Sequence, residues 1–164
     1  MENSLPRALT ERVERALALF PVVVITGARQ TGKSTLVRKA PPFTARRYVS
    51  LDTAVNRELA ATEPRTFLSD QPPGGLTIDE VQRAPELLLP IKEFVDADRT
   101  NGRFLLTGSA NLLLLRNVSE SLAGRARYLT LWPMTRREQL GLGRCGIWSE
   151  LLDQPHEAWP SSVQ

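Results

Sequence analysis

The sequence predicts an α/β domain, a parallel sheet with helices on both faces, and three observations carry that expectation. Short apolar runs alternate along the chain with stretches of helical spacing, the order that builds βαβ units. The first run, Val-Val-Val-Ile at 22–25, has no polar alternation, as in a strand covered on both sides. A loop framed by two glycines joins that run directly to a helical stretch.

Each element follows from local chemistry. Leu5, Leu9, Val13, Ala16, Leu17 and Phe20 recur at spacings of three and four, which predicts an amphipathic helix over 5–19 with Arg7, Glu11, Arg12, Glu14 and Arg15 on its polar face. Pro21 ends it. After the strand at 22–25 and the loop from Thr26 to Ser34, a helix is expected over 33–39, closed by Pro41 and Pro42. A second strand is expected at 47–51, a helix at 53–61 that Pro64 stops, and a turn cluster at 71–75 before a third strand at 76–78. Residues 85–97 have helical spacing, with Pro90 marking the helix start. A fourth strand at 104–107, a short helix at 111–117 and a fifth strand at 127–131 complete the pattern. Beyond Trp132 and Pro133 the periodicity weakens, so 1–140 are read as the domain and 141–164 as a poorly ordered tail or the start of a further domain.

Composition sets limits without naming a function. The chain has 164 residues, a net charge of +3, 41% hydrophobic residues and a single cysteine, Cys145. One cysteine excludes an internal disulfide and a Cys-built zinc site, and predicts a reducing, cytoplasmic compartment. The apolar stretch at 16–28 is too short for a membrane span and contains Pro21, and Glu2, Glu11 and Glu14 argue against a signal peptide. No membrane partner is expected. The basic excess is nearly all arginine and scattered, a weak argument for nucleic acid as a partner. Arg46-Arg47 is too short a basic run to add to it, His156 has no ligand partner nearby in sequence, and Trp132, Trp148 and Trp159 read as packing residues.

The strongest chemical signal is Gly27, Ala28, Arg29, Gln30, Thr31, Gly32, Lys33, Ser34, which fits G-x-x-x-x-G-K-[ST] between a strand and a helix. A polyphosphate needs several backbone N–H donors converging on it, and glycines let the loop curl without Cβ atoms in the way. The following helix adds its N-terminal N–H groups. Lys33 is expected at the β- and γ-phosphates, and the Ser34 hydroxyl on a magnesium ion. Leu76, Thr77, Ile78, Asp79, Glu80 is a strand ending in two acids: Asp79 is the expected metal residue and Glu80 the base that takes a proton from the attacking water. At the end of the fourth strand, Thr107 or Ser109 is a candidate for contact with the γ-phosphate or the water, with strand and helix capping as the alternative for each. Arg125, just before the fifth strand, is a candidate arginine finger.

Taken together, GARQTGKST at 27–35, LTIDEVQ at 76–82, FLLTGSANLLLL at 104–115 and SLAGRARYLTLWPMT at 121–135 resemble the prokaryotic AAA-type P-loop ATPases in which the ATPase domain is followed by a C-terminal domain of unclear function. The resemblance covers about residues 5–140. It implies a P-loop NTPase three-layer sandwich with strand order 5-1-4-3-2, and ATP, ADP and Mg2+ as ligands. It carries the phosphate and magnesium roles onto Gly27, Gly32, Lys33 and Ser34, within a stretch from Gly27 to Thr35 expected to bind the nucleotide, the acidic pair onto Asp79 and Glu80, a polar strand-end motif onto Thr107, Gly108 and Ser109, and the Gly-Arg motif onto Gly124 and Arg125. The last implies a homo-oligomer in which Arg125 acts on a neighbouring subunit. Because family members continue past the Trp-Pro segment, the resemblance also implies that this chain stops after the ATPase core. The expected function is Mg-dependent ATP binding and hydrolysis. A nucleotide-dependent switch with little turnover, a truncated inactive remnant and a small-molecule kinase are the competing expectations.

Overall fold

A computed structural model describes residues 5–69, 72–109 and 122–141. Backbone proximity divides the chain into two units, Leu9–Pro133 and a second formed by Met1–Ala8 with Met134–Gln164.

The first unit is built on a five-stranded sheet: β1 (Val22–Thr26), β2 (Arg47–Ser50), β3 (Leu76–Asp79), β4 (Phe104–Thr107) and β5 (Ala126–Thr130), in the spatial order β2-β3-β4-β1-β5. Every pairing is parallel, and the order is the expected 5-1-4-3-2. Strand β1 lies between β4 and β5, and all five of its residues are buried, which is why its sequence shows no alternation. Helices α1 (Leu9–Leu19) and α2 (Lys33–Lys39) belong to one face of the sheet, where Val13, Leu36 and Val37 pack with Val23, Ile25 and Leu105. Helices α3 (Ala54–Thr62), α4 (Pro64–Ser69) and α5 (Leu88–Ala97) belong to the other, where Ala60, Leu68 and Ile91 pack with Val24, Ile78 and Leu106. Residues two apart on a strand share a face, so the register puts Tyr48, Asp79, Thr107 and Ile25 on the α1/α2 side.

Three elements depart from the sequence expectation. Pro64 does not only stop α3: it opens α4 at the first helical position, where its missing N–H is no loss, and the Phe67 N–H bonds to Glu63 O at 2.9 Å. Helix α5 starts at Leu88, after a single 3-10 turn at Pro85–Leu87, and Pro90 is accommodated within its first turn. Helix α1 starts at Leu9, not at residue 5. The helix expected at 111–117 and the tail from 142 onward lie outside the described residues.

Arg46, half of the short basic pair Arg46-Arg47, stitches the sheet together. Its guanidinium donates to Gly74 O at 2.7 Å, Gly102 O at 2.8 Å, Leu76 O at 3.0 Å and Arg103 O at 3.3 Å, and to Thr77 Oγ1 at 3.1 Å. These oxygens surround the N-terminal ends of β3 and β4. Burial pushes the guanidinium pKa down to about 10, still far above neutrality.

In the second unit, Thr135 and Glu138 form a capping box on the short helix α6 (Arg136–Gln139). The Glu138 carboxylate also accepts from Arg7 Nε at 3.0 Å and from the Ala8 N–H at 2.9 Å, and both side chains are buried. Arg7 is therefore an ion-paired residue and not part of a solvated helix face. Burial alone would raise the Glu138 pKa, and the bonds from Thr135, Ala8 and Arg7 outweigh it, leaving the carboxyl below its ordinary range.

Candidate functional site

The glycine loop leaves the C-terminal end of β1, and its shape is set by close approach. Gly27 has φ +155°, and a Cβ there would stand 2.4 Å from the Leu131 carbonyl oxygen. The Leu131 N–H is in turn bonded to Thr26 O at 2.8 Å, so β5 and the loop entrance are locked together. Ala28, Arg29 and Gln30 are exposed, and Gln30 takes a left-handed φ of +64°. The Thr31 hydroxyl then closes the bend by donating to Ala28 O at 3.0 Å. Gly32, at φ +89°, is the N-cap of α2. Inside that helix the Leu36 N–H is the first to bond back, to Gly32 O at 2.9 Å. The N–H groups of Lys33, Ser34 and Thr35 have no partner within the helix and lie at its positive end.

Lys33 is buried, and its ammonium donates to Gly27 O at 3.1 Å and Ala28 O at 2.8 Å. One cation thus spans the loop's own carbonyls. Ser34 is half-buried and Thr35 exposed on the first turn of α2.

The acidic pair stands at the same edge of the sheet, two strands away. Asp79 closes β3 and is 2% exposed. Its Oδ2 accepts the Tyr48 hydroxyl at 2.8 Å, and its Oδ1 accepts the Thr107 hydroxyl. Thr107 also accepts the Glu80 N–H at 3.1 Å, so one side chain of β4 fixes both the carboxylate of Asp79 and the backbone of Glu80. Glu80 has a left-handed φ of +61°, and its carboxylate accepts from the Gln82 amide. The other amide atom, Gln82 Oε1, is buried and accepts no hydrogen bond among the described residues. The Tyr48 phenol lies well above its ordinary pKa, first because it is buried and then because its hydroxyl faces Asp79. The Arg38 guanidinium of α2 sits over its ring, 5.6 Å from the centroid.

Of the residues singled out in the sequence, the loop from Gly27 to Thr35, Asp79, Glu80 and Thr107 meet at the C-terminal edge of the sheet, where Ile25 and Thr107 are register partners. Ser109 is half-buried two residues beyond β4, next to Gly108, whose N–H bonds to Ile25 O at 3.0 Å. Arg125 lies at the opposite edge. It precedes Ala126, the partner of Val22, so roughly 13 Å of strand separates it from the loop. There it holds Asp96 of α5 through two nitrogens, at 2.5 and 2.8 Å, and donates to Ala123 O at 2.9 Å. Tyr48, Arg38 and Gln82 were not legible as site residues, because only the strand register and the turn after β3 bring them in.

The oxygen groups in this arrangement suit a hard divalent cation. Asp79 presents a carboxylate whose partners are neutral hydroxyls, and Ser34 offers a hydroxyl at the helix start; magnesium needs few such protein ligands when phosphate oxygens complete its shell.

A family model described as an AAA domain matches residues 19–140. Two curated proteins are each 38% identical over 132 residues: the uncharacterized protein Mb2031c of Mycobacterium bovis and the uncharacterized protein Rv2008c of Mycobacterium tuberculosis. Each alignment takes in 80% of this chain, which spans about 30% of the length of these relatives. Among solved structures, the Walker-type ATPase PABY2304 of Pyrococcus abyssi has a TM-score of 0.56 at 17% identity, over 93% of this chain and 63% of that one. A DNA replication initiation factor has a TM-score of 0.55, also at 17% identity, over 88% of this chain and 49% of that one. These two likenesses concern the fold. Among the described residues, no helix is long and apolar enough to cross a membrane.

Proposed function

The chain belongs to the AAA-domain family of P-loop ATPases, and from that premise we propose that it binds ATP with Mg2+ and hydrolyses it to ADP and phosphate. The observation that carries this reading is the buried Lys33 ammonium inside a loop that only glycine at 27 permits, on the sheet edge that also holds Asp79 and Glu80.

The residues divide the work. The N–H groups from Ala28 to Thr35 hold the phosphates, and Lys33 exchanges its loop carbonyls for β- and γ-phosphate oxygens. Ser34 and Asp79 would hold the magnesium ion, whose positive charge would offset that of the phosphate oxygens. Glu80 accepts a proton from the attacking water at its carboxylate, after releasing the Gln82 amide. Thr107 serves by holding Asp79 and Glu80 in place, since its one hydroxyl proton is given to Asp79. Ser109, two residues beyond β4, is the candidate for a contact with the γ-phosphate. Arg125, at the far edge, has no route to its own cradle, so a finger role requires a neighbouring copy of the chain.

One observation favours a second reading, a nucleotide-dependent switch with little turnover: the Glu80 carboxylate is occupied by Gln82. Phosphate release by the purified chain and by Glu80→Gln separates the two. Hydrolysis that collapses in the variant while ATP binding persists supports the enzyme; equal, negligible release from both supports the switch.

A further inference from the structure

Asp79 is held by two hydroxyls from two different strands, and this is not what a simple structural ion pair looks like. Tyr48 lies in register with Thr77, so its side chain crosses diagonally over β3 to reach Asp79, two residues along. Thr107 approaches from β4 on the opposite flank. Among the described residues each carboxylate oxygen thus has one donor, and both donors are uncharged. An arginine or lysine in either place would cancel the negative charge; a hydroxyl fixes the carboxylate's rotamer and leaves its charge available to a cation. Tyr48 has a second tie. Arg38 of α2, the helix that begins at the glycine loop, lies over its ring. One aromatic side chain therefore touches both the helix that starts at Lys33 and the acid at the end of β3.

We infer that Tyr48 is a positioning residue for magnesium: its hydroxyl holds the Asp79 carboxylate in the orientation that receives the ion, while its ring registers β3 against α2. This deepens the proposed nucleotide reading and rests on it. Hydrogen-bonded partners of a metal-ligating carboxylate govern metal affinity, and their loss typically weakens it about ten- to a hundredfold.

The test is the affinity of the chain for a fluorescent ATP analogue, measured by titration with excess EDTA and again with Mg2+, for wild type, Tyr48→Phe, Asp79→Asn and the double variant. Tyr48→Phe should leave the EDTA affinity unchanged and reduce the tightening produced by Mg2+ about tenfold. In the Asp79→Asn background the same change should add nothing, because Tyr48 acts through that carboxylate. A Tyr48→Phe protein with the full wild-type Mg2+ effect overturns the inference and leaves the nucleotide reading intact. A wild-type chain that binds no nucleotide overturns that reading and the inference with it.

A second measurement needs no substitution at 48. With 13C-labelled tyrosine, the wild-type chain has two tyrosines to resolve. NMR should show a slowly exchanging hydroxyl proton at Tyr48, identified as the tyrosine signal that remains in Tyr128→Phe, and this proton should be lost in Asp79→Asn. Rapid exchange at Tyr48 overturns the inference.

Discussion

Lys33 donates its ammonium to the carbonyl of Ala28, five residues upstream, at 2.8 Å. The loop is thus closed on its own lysine, and the charge that would meet a phosphate already organises the backbone around it. Loops shaped this way depend on their tightest point, which here is Gly27.

Gly27→Ala should therefore be costly in stability as well as in binding. The added methyl would stand 2.4 Å from the Leu131 carbonyl oxygen, which is backbone and cannot turn aside. A loss on the order of 2 kcal/mol is expected, a fall in melting temperature of about 4–8 °C for a chain of this size. Thermal unfolding followed by circular dichroism checks it, and an unchanged melting temperature would mean that the loop has room the structure denies.

Glu80→Gln should keep the fold and the affinity for ATP and lower phosphate release by about 10²- to 10⁴-fold, the usual share of a general base. A steady-state phosphate assay beside a binding titration reads both quantities. Loss of binding in step with loss of release would assign Glu80 to nucleotide binding instead.

Arg46→Met keeps the length and most of the volume of the side chain and removes the guanidinium that donates to the Gly74, Leu76, Gly102 and Arg103 carbonyls. Losing these bonds should cost about 3 kcal/mol. Denaturant unfolding should show a lower midpoint, and a variant as stable as wild type would show that water replaces the guanidinium without loss.

The Glu138 carboxyl is held below its ordinary pKa, so its contribution is present above the unfolded value of about 4.3 and is lost as pH falls through the lower folded value. Melting temperatures from pH 7 down to pH 3 should drop more steeply for wild type than for Glu138→Gln, which has no carboxyl to titrate. At pH 7 the variant should be the less stable, by about 3 kcal/mol, because the buried Arg7–Glu138 ion pair is lost. Parallel pH profiles would remove Glu138 from the acid response.

Arg125 supports a mixing experiment. Lys33→Ala has an impaired cradle and an intact Arg125; Arg125→Ala has the reverse. If Arg125 reaches a neighbour's nucleotide, an equimolar mixture should hydrolyse ATP faster than either variant alone, and wild-type activity per chain should rise with concentration. A mixture with only the mean of the two activities would leave Arg125 as the partner of Asp96 and nothing more.

The sequence made the sheet, its helices and the glycine loop legible, because each was written in local pattern: the unbroken Val22–Thr26 strand, the helical spacing around Ile91, the glycines at 27 and 32. What escaped was written in register or in context. Tyr48 sits in a four-residue strand with nothing to mark it, and only the pairing of β2 with β3 carries its hydroxyl to Asp79. Pro64 reads locally as a stop, yet at the first position of a helix the same ring is a start. The capping box of Thr135 and Glu138 is spelled in the sequence as T-x-x-E, but it lies where the helical periodicity fades. Arg125 followed the Gly-Arg motif faithfully, but a motif does not say at which end of the sheet it lies.

Isothermal titration of ATP with Mg2+ into the folded chain and into Lys33→Ala bears most directly on the account. The wild-type chain should bind and the variant should lose at least tenfold in affinity, the scale of one charge-assisted contact in a desolvated loop. Equal affinity in the two proteins, with circular dichroism showing both to be folded, would contradict the assignment of this loop as the place where nucleotide phosphates are held.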